Sequence, residues 1–264
     1  MAIGGGLGLV ILIVAVLMGA DPTKILGVLG EGGGGGMAPS TEAPIDDEAK
    51  DFISTVLGDT ETVWTELFRQ QLGGQYVEPK LILYTGTTPM KSGGVARSAT
   101  GPFYLPAEQT IYLDLSFFDE MKNRFQAPGD FAQAYVLAHE EGHHVQKLRG
   151  LTDRVHSQAG RIPKADYNEL SVRLELQADF LAGVWAHHAE KNWRILEQGD
   201  VEEALNAANA IGDDRLQKQA TGQVVPDAFT HGTSEQRVRW FLNGLKSGRV
   251  EDGDATFRLP YGEL

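Results

Sequence analysis

The sequence predicts an α+β fold: mostly helical, with a small antiparallel sheet, and preceded by one N-terminal transmembrane helix. Three observations predict it. Short strand-like runs gather before residue 116 and helical patterns dominate after it, the segregation expected of α+β rather than alternating α/β folds. The later segments carry helix start and stop signals. The first twenty residues carry no charge.

Residues 1–20 would form a helix of about 30 Å, the thickness of a bilayer's hydrocarbon core. The apolar part runs from Leu7 to Met18, with no Lys or Arg before it and no small-x-small cleavage site after it, so an anchor over residues 1–22 is expected rather than a cleaved leader. Lys24 is the only nearby cation, so charge gives no orientation. The five glycines Gly32–Gly36 and the stretch to Pro44 offer little to bury and read as a flexible linker over 23–44. A single domain is then expected over 45–264.

Within it, Asp47 to Phe68 reads as a helix, with Phe52, Val56, Val63 and Leu67 on its apolar positions. Leu81–Tyr84 and Ile111–Leu115 read as strands, and Phe103–Leu105, between Pro102 and Pro106, as an edge strand. A short helix is expected from Phe117 to Phe125. Asp130 is expected to cap a helix that Gly150 ends. Asp166 with Glu169, Asp200 with Glu203 and Thr233 with Gln236 each have capping-box spacing, the first opening a long helix towards Asn192 and the last a helix closed by Gly248.

Composition excludes several chemistries. Lys and Arg number 23 against 36 Asp and Glu, a net charge of −13, which disfavours a phosphate-tracking nucleic-acid binder. With no cysteine there is no disulfide scaffold, thiolate metal site or thiol nucleophile.

The chemistry falls on the Asp130 helix. His139-Glu140-Glu141-Gly142-His143 is H-E-x-x-H, and residues four apart share a helix face, so His139 and His143 can offer two imidazole nitrogens to one ion. Zinc in such a site lowers the pKa of a bound water, and Glu140 is placed to take its proton as general base. Gly142 costs about 1 kcal/mol of helix propensity relative to Ala, which makes sense if another backbone or the metal centre comes close. His144, about 100° off that face, reads as an ordinary polar residue.

Without cysteine, the third ligand must be His, Asp or Glu. Six residues after His143 stands Arg149, not the His of the metzincin pattern. The downstream helix offers Glu175-Leu-Gln-Ala-Asp179: Glu175 can complete the site, and Asp179, one turn on, can accept the free ring N–H of a ligating His. His231, just before the last helix, is a candidate oxyanion donor. Arg237 can clamp Glu175, Asp179 or a substrate carboxylate. His156, His187 and His188 have no ligand-spaced partner and read as structural or solvent-facing.

Six ordered blocks carry a resemblance: Ala99–Tyr104 (ATGPFY), Tyr112–Phe118 (YLDLSFF), Pro128–Val136 (PGDFAQAYV), His139–Gln146 (HEEGHHVQ), Glu175–Asp179 (ELQAD) and His231–Arg237 (HGTSEQR). Together they are similar to those of the bacterial YpfJ-like neutral zinc metallopeptidases. The resemblance implies a zincin-like domain on a single membrane anchor, on the extracytoplasmic side of a bacterial cell membrane. It implies Zn2+ held by His139, His143 and Glu175, Glu140 as the general base, and a peptide or protein as substrate. Relatives carry cysteines flanking the Ala99–Tyr104 block; this chain has none. An edge strand before the active helix, such as Ile111–Leu115, could align substrate by strand addition. A tethered zinc-binding scaffold without turnover, and a zinc amidase acting on a non-peptide amide, are the alternative readings.

Overall fold

The computed structural model of the protein describes residues 47–123, 128–210, 212–214, 217 and 225–264. The expected anchor and linker, over residues 1–44, lie outside them. Among the described residues no helix is long and apolar enough to cross a membrane.

Helix α1 (Asp47–Leu67) forms as expected, burying Ile53, Val56, Thr60, Val63, Trp64 and Leu67 at the three- and four-residue spacing of one helical face. Five short strands follow: β1 (Lys80–Tyr84), β2 (Thr87–Pro89), β3 (Val95–Arg97), β4 (Phe103–Leu105) and β5 (Thr110–Asp114). β2 and β3 make a separate antiparallel hairpin. The main sheet has the order β1-β5-β4 and is mixed rather than antiparallel: β1 runs parallel to β5, in register from Lys80↔Thr110 to Tyr84↔Asp114, and β4 runs antiparallel to it. The hairpin and β4 lie between β1 and β5 in sequence and give the long connection that a parallel pair needs. β5 is therefore the central strand, buried at every position, and both its edges are taken, so it cannot receive an added strand. β1 and β4 are the two edges of this sheet, and β4 takes the edge place expected from the prolines around it.

The helical layer comprises α2 (Ser116–Asn123), α3 (Asp130–Leu148), α4 (Leu151–His156), α5 (Lys164–Trp193), α6 (Asp200–Ala210), α7 (Ser234–Ser247) and the single turn α8 (Ala255–Arg258). Three of the expected caps are replaced. Gly129, not Asp130, occupies the N-cap of α3, at φ 125°. Glu203 of α6 lies over it, facing the Phe131 and Ala132 N–H groups, and a Cβ at Gly129 would collide with that carboxylate. The positive end of α3 is thus met by a carboxylate from another helix. α5 opens at Lys164, two residues before Asp166, with Pro163 as its N-cap at ψ 146° and no side-chain cap bond. Asp200 lies in the first turn of α6 and accepts from the Glu197 N–H at 2.8 Å instead of boxing with Glu203. At α7 the expectation holds: Thr233 and Gln236 form the reciprocal capping box, and Gly248 closes the helix at φ 63°.

Helices α3, α5 and α7 form the buried centre, and glycine lets them approach. A Cβ at Gly142 would lie 2.9 Å from the Ala178 carbonyl oxygen and 3.1 Å from its Cα, so the close backbone approach expected from the sequence is made by α5. A Cβ at Gly183 would strike the Phe241 carbonyl, and one at Gly244 the Phe180 carbonyl, locking α5 against α7. Gly142→Ala would gain about 1 kcal/mol of helix propensity and lose about 1–3 kcal/mol to overpacking. Net destabilisation is therefore expected in urea unfolding of the metal-free protein; a stabilised variant would show that α3 and α5 can separate freely.

Candidate metal centre

Turn for turn, α3 and α5 bring three side chains to one point. His139 and His143 project from α3 and Glu175 from α5, with ligand atoms all within 4.8 Å of one another. The His139 Nε2 is 3.3 Å from Glu175 Oε2, and the His143 Nε2 is 3.4 Å from Glu175 Oε1. Two nitrogens and an oxygen suit zinc, and ligands at about 2.0–2.1 Å around a tetrahedral ion stand about 3.3–3.4 Å apart. His139 and Glu175 are buried, at 6% and 3% exposure.

The ring nitrogens turned away from this point are both engaged. The His139 Nδ1 lies 2.8 Å from Asp179 Oδ1. A carboxylate only accepts, so Nδ1 carries a proton, and once the ring is neutral the lone pair is on Nε2, facing the centre. Asp179 is fully buried and also accepts from Tyr135 Oη at 2.5 Å and from Arg237 Nε at 2.8 Å and Nη2 at 2.9 Å. Burial alone would raise the Asp179 pKa, but Arg237, joined by His139, outweighs it and holds the carboxyl at about 2. Burial would likewise lower His139; Asp179 prevails and pushes it up to about 9 in the metal-free chain. Against its own burial, Glu175 is held well below the usual carboxylate range by His143 and His139. It stays ionised, as a ligand must.

Two further residues singled out in the sequence belong to these elements: Glu140 follows His139 on α3, and His231 lies close enough to Glu175 for their charges to interact. Glu140 is 8% exposed and, among the described residues, has no hydrogen-bond partner, which leaves its carboxylate uncommitted. His231, on the loop before α7, is buried, and its Nδ1 is 3.0 Å from Asp213 Oδ1. Asp213 Oδ2 accepts from the backbone N–H groups of Thr230 and His231, both at 2.6 Å. Burial opposes charge on this imidazole, yet Asp213, with Glu175 adding to it, raises its pKa. Its Nε2 is buried with no protein partner among the described residues.

A family model described as "Putative neutral zinc metallopeptidase" matches residues 1–257. The chain belongs to this zinc metallopeptidase family. It is 49% identical over 243 residues to the "Uncharacterized protein YpfJ" of Escherichia coli (strain K12), covering 91% of this chain and 83% of that protein. It is 36% identical over 247 residues to the "Uncharacterized protein Rv2575" of Mycobacterium tuberculosis (strain ATCC 25618 / H37Rv), covering 89% and 82%. The "Uncharacterized protein Mb2605" of Mycobacterium bovis matches to the same extent. No solved structure matches. Zinc is the metal of the family, and the His139, His143 and Glu175 group, buried and with two imidazoles, suits it better than the second cluster among the described residues, the all-carboxylate Asp130, Asp200 and Glu203.

Of the residues singled out in the sequence, His139, His143, Glu175, Asp179 and Arg237 meet in one buried cluster. Arg237 engages Asp179 with both nitrogens, which decides among its three candidate partners. His144 is not an ordinary polar residue: it is fully buried, with Nε2 2.6 Å from the Val77 carbonyl and Nδ1 2.9 Å from Tyr104 Oη on β4. It ties β4 to the zinc helix. His187 and His188 hydrogen-bond the Leu245 and Gly248 carbonyls and are structural. Asp213 and Tyr135 were not legible as site residues. Tyr135, four residues before His139, carried a helical-spacing signal; Asp213 lies in a stretch without one.

Proposed function

We propose that the chain hydrolyses peptide bonds in peptide or protein substrates, with zinc held by His139, His143 and Glu175. The observation that carries this reading is the convergence of those three ligand atoms within 4.8 Å on two helices, each imidazole turned by an acceptor at its Nδ1. Bound zinc supplies a Lewis acid that activates water at neutral pH. Glu140, next along the helix from His139 and without a hydrogen-bond partner among the described residues, would take the proton from the attacking water and pass it to the leaving amine. His231 donates from Nε2 to the oxygen of the carbonyl under attack, while Asp213 fixes its ring through Nδ1. Asp179 orients His139, and Arg237 keeps Asp179 ionised and in place.

Substrate alignment passes from β5 to β4. β4 is one of the two edge strands, and it is the one that His144 holds to α3, through Tyr104. Residues 1–22 anchor the domain in a bacterial cell membrane: the uncharged apolar run supports the anchor, and it falls within the stretch that the family model matches; the extracytoplasmic placing of the catalytic side rests on the resemblance alone.

The test is metal content. About one zinc per chain is expected for the wild type, and loss of zinc for Glu175→Ala with its helical circular dichroism retained. A folded wild-type chain that takes up no zinc would overturn the reading. Zinc binding with no peptide turnover would leave the zinc-binding scaffold and the non-peptide amidase, which turnover of a non-peptide amide separates.

A further inference from the structure

The two imidazoles of the centre are braced by different chemistry. His139 faces a carboxylate, but the His143 Nδ1 faces a neutral amide, Gln146 Oε1 at 3.0 Å. An amide can present either its donor or its acceptor, so something must choose. Gln146 is fully buried, and its Nε2 donates to the Leu174 backbone carbonyl at 2.7 Å. A backbone carbonyl only accepts, so the NH₂ end is fixed there and Oε1 is left for His143. A second lock follows. Gln177 Oε1 lies 3.2 Å from the same Nε2, and Gln177, also fully buried, donates its own Nε2 to the Gly253 carbonyl and to Asp254 Oδ1, each at 3.2 Å. Asp254 is gripped in turn by Arg149 Nη2, at 2.9 and 3.0 Å, just past the C-terminal end of α3.

Both amides therefore turn their NH₂ ends away from His143, that of Gln146 towards Leu174 and Gln177 and that of Gln177 towards the C-terminal segment. Reversing either amide would set oxygen against oxygen in a buried place and leave the groups there unsatisfied. We infer that Gln146 and Gln177 are positioning residues that hold His143 as the Nδ1–H tautomer, with its Nε2 lone pair aimed at Glu175, and that this tie makes the Val250–Asp254 segment part of the metal site's support. The inference rests on His143 being a zinc ligand, as proposed above. It adds a group outside the catalytic helices on which metal retention depends.

The experiment compares Gln146→Met with Gln146→Glu, reading zinc affinity by chelator competition and the unfolding midpoint of the metal-free chain. Gln146→Met removes the acceptor and is expected to weaken zinc about 10–100-fold. Gln146→Glu keeps an acceptor for Nδ1–H but loses the donor to Leu174, so it should bind zinc close to wild-type strength while unfolding earlier. A merely structural role would make affinity follow stability in both variants, and that result, or no change in either, overturns the inference. Should the variants fail to fold, long-range 1H–15N spectra of the wild type decide. Protonated Nδ1 on His143, in the metal-free chain at alkaline pH and in the zinc-loaded chain, supports the inference, and protonated Nε2 ends it. A wild type that binds no zinc sinks the proposed function, and the metal-free spectrum still gives the tautomer.

Discussion

Replacing Glu140 by Gln is expected to lower peptide hydrolysis by about 10²–10⁴-fold while leaving zinc content at the wild-type level. Glu140 lies outside the group of three that can hold the ion, so the ligand set is intact in the variant. Gln has the same size and helix propensity, and no hydrogen bond of Glu140 among the described residues is lost. What disappears is a carboxylate able to carry a proton. kcat and kcat/KM should fall together, because the interaction is made only as the reaction proceeds. Assay on an unfolded protein such as casein, beside elemental analysis, separates the outcomes. Unchanged hydrolysis would remove Glu140 from the mechanism, and lost zinc would make it part of the metal's support.

The second large effect is expected at Asp179. Asn in its place would leave Arg237, itself 2% exposed, as a buried cation without its counter-charge. Breaking such a pair costs about 3–5 kcal/mol, which in a domain of this size lowers Tm by about 10 °C. His139 would also lose its acceptor, weakening zinc by about 10–100-fold. Calorimetry of the metal-free chain and zinc titration read the two effects separately. Replacing both partners, Asp179→Leu with Arg237→Met, should recover part of the stability and none of the zinc affinity; recovered affinity would show that Asp179 does not orient His139. The pH dependence follows from the same pair. Asp179 is depressed to about 2 in the folded metal-free chain, below the ordinary value of about 3.9. Its contribution to stability is complete above about pH 4 and is lost as pH falls through 2.

What the sequence made legible was whatever is local along the chain. Four-residue spacing announced His139 with His143, and Glu175 with Asp179, because helical geometry alone puts such pairs on one face. Thr233 with Gln236 was readable for the same reason. Tertiary choices were not. Glu203 had the spacing to serve its own helix and instead lies at the start of α3, since any helix N-terminus attracts a carboxylate whichever segment supplies it. The strands carried their alternation but not their order, so the parallel pairing of β1 with β5 was invisible. Asp213 reaches His231 from a segment with no periodic pattern, eighteen residues earlier. His144 was set aside because it points off the ligand face, yet that direction is what brings it to Tyr104.

The glycine contacts between α5 and α7 have a consequence for anyone who would redesign this domain. Gly183 and Gly244 set main chain against main chain, so the offset between Asp179 and Arg237 is gauged by carbonyls rather than by the side chains around them. A library that randomises Phe180, Phe241 or Trp240 can alter the filling and keep the gauge. At the two glycines even a methyl group would wedge the rods apart and carry Arg237 away from its carboxylate, so these positions should return only glycine from any selection for metal retention.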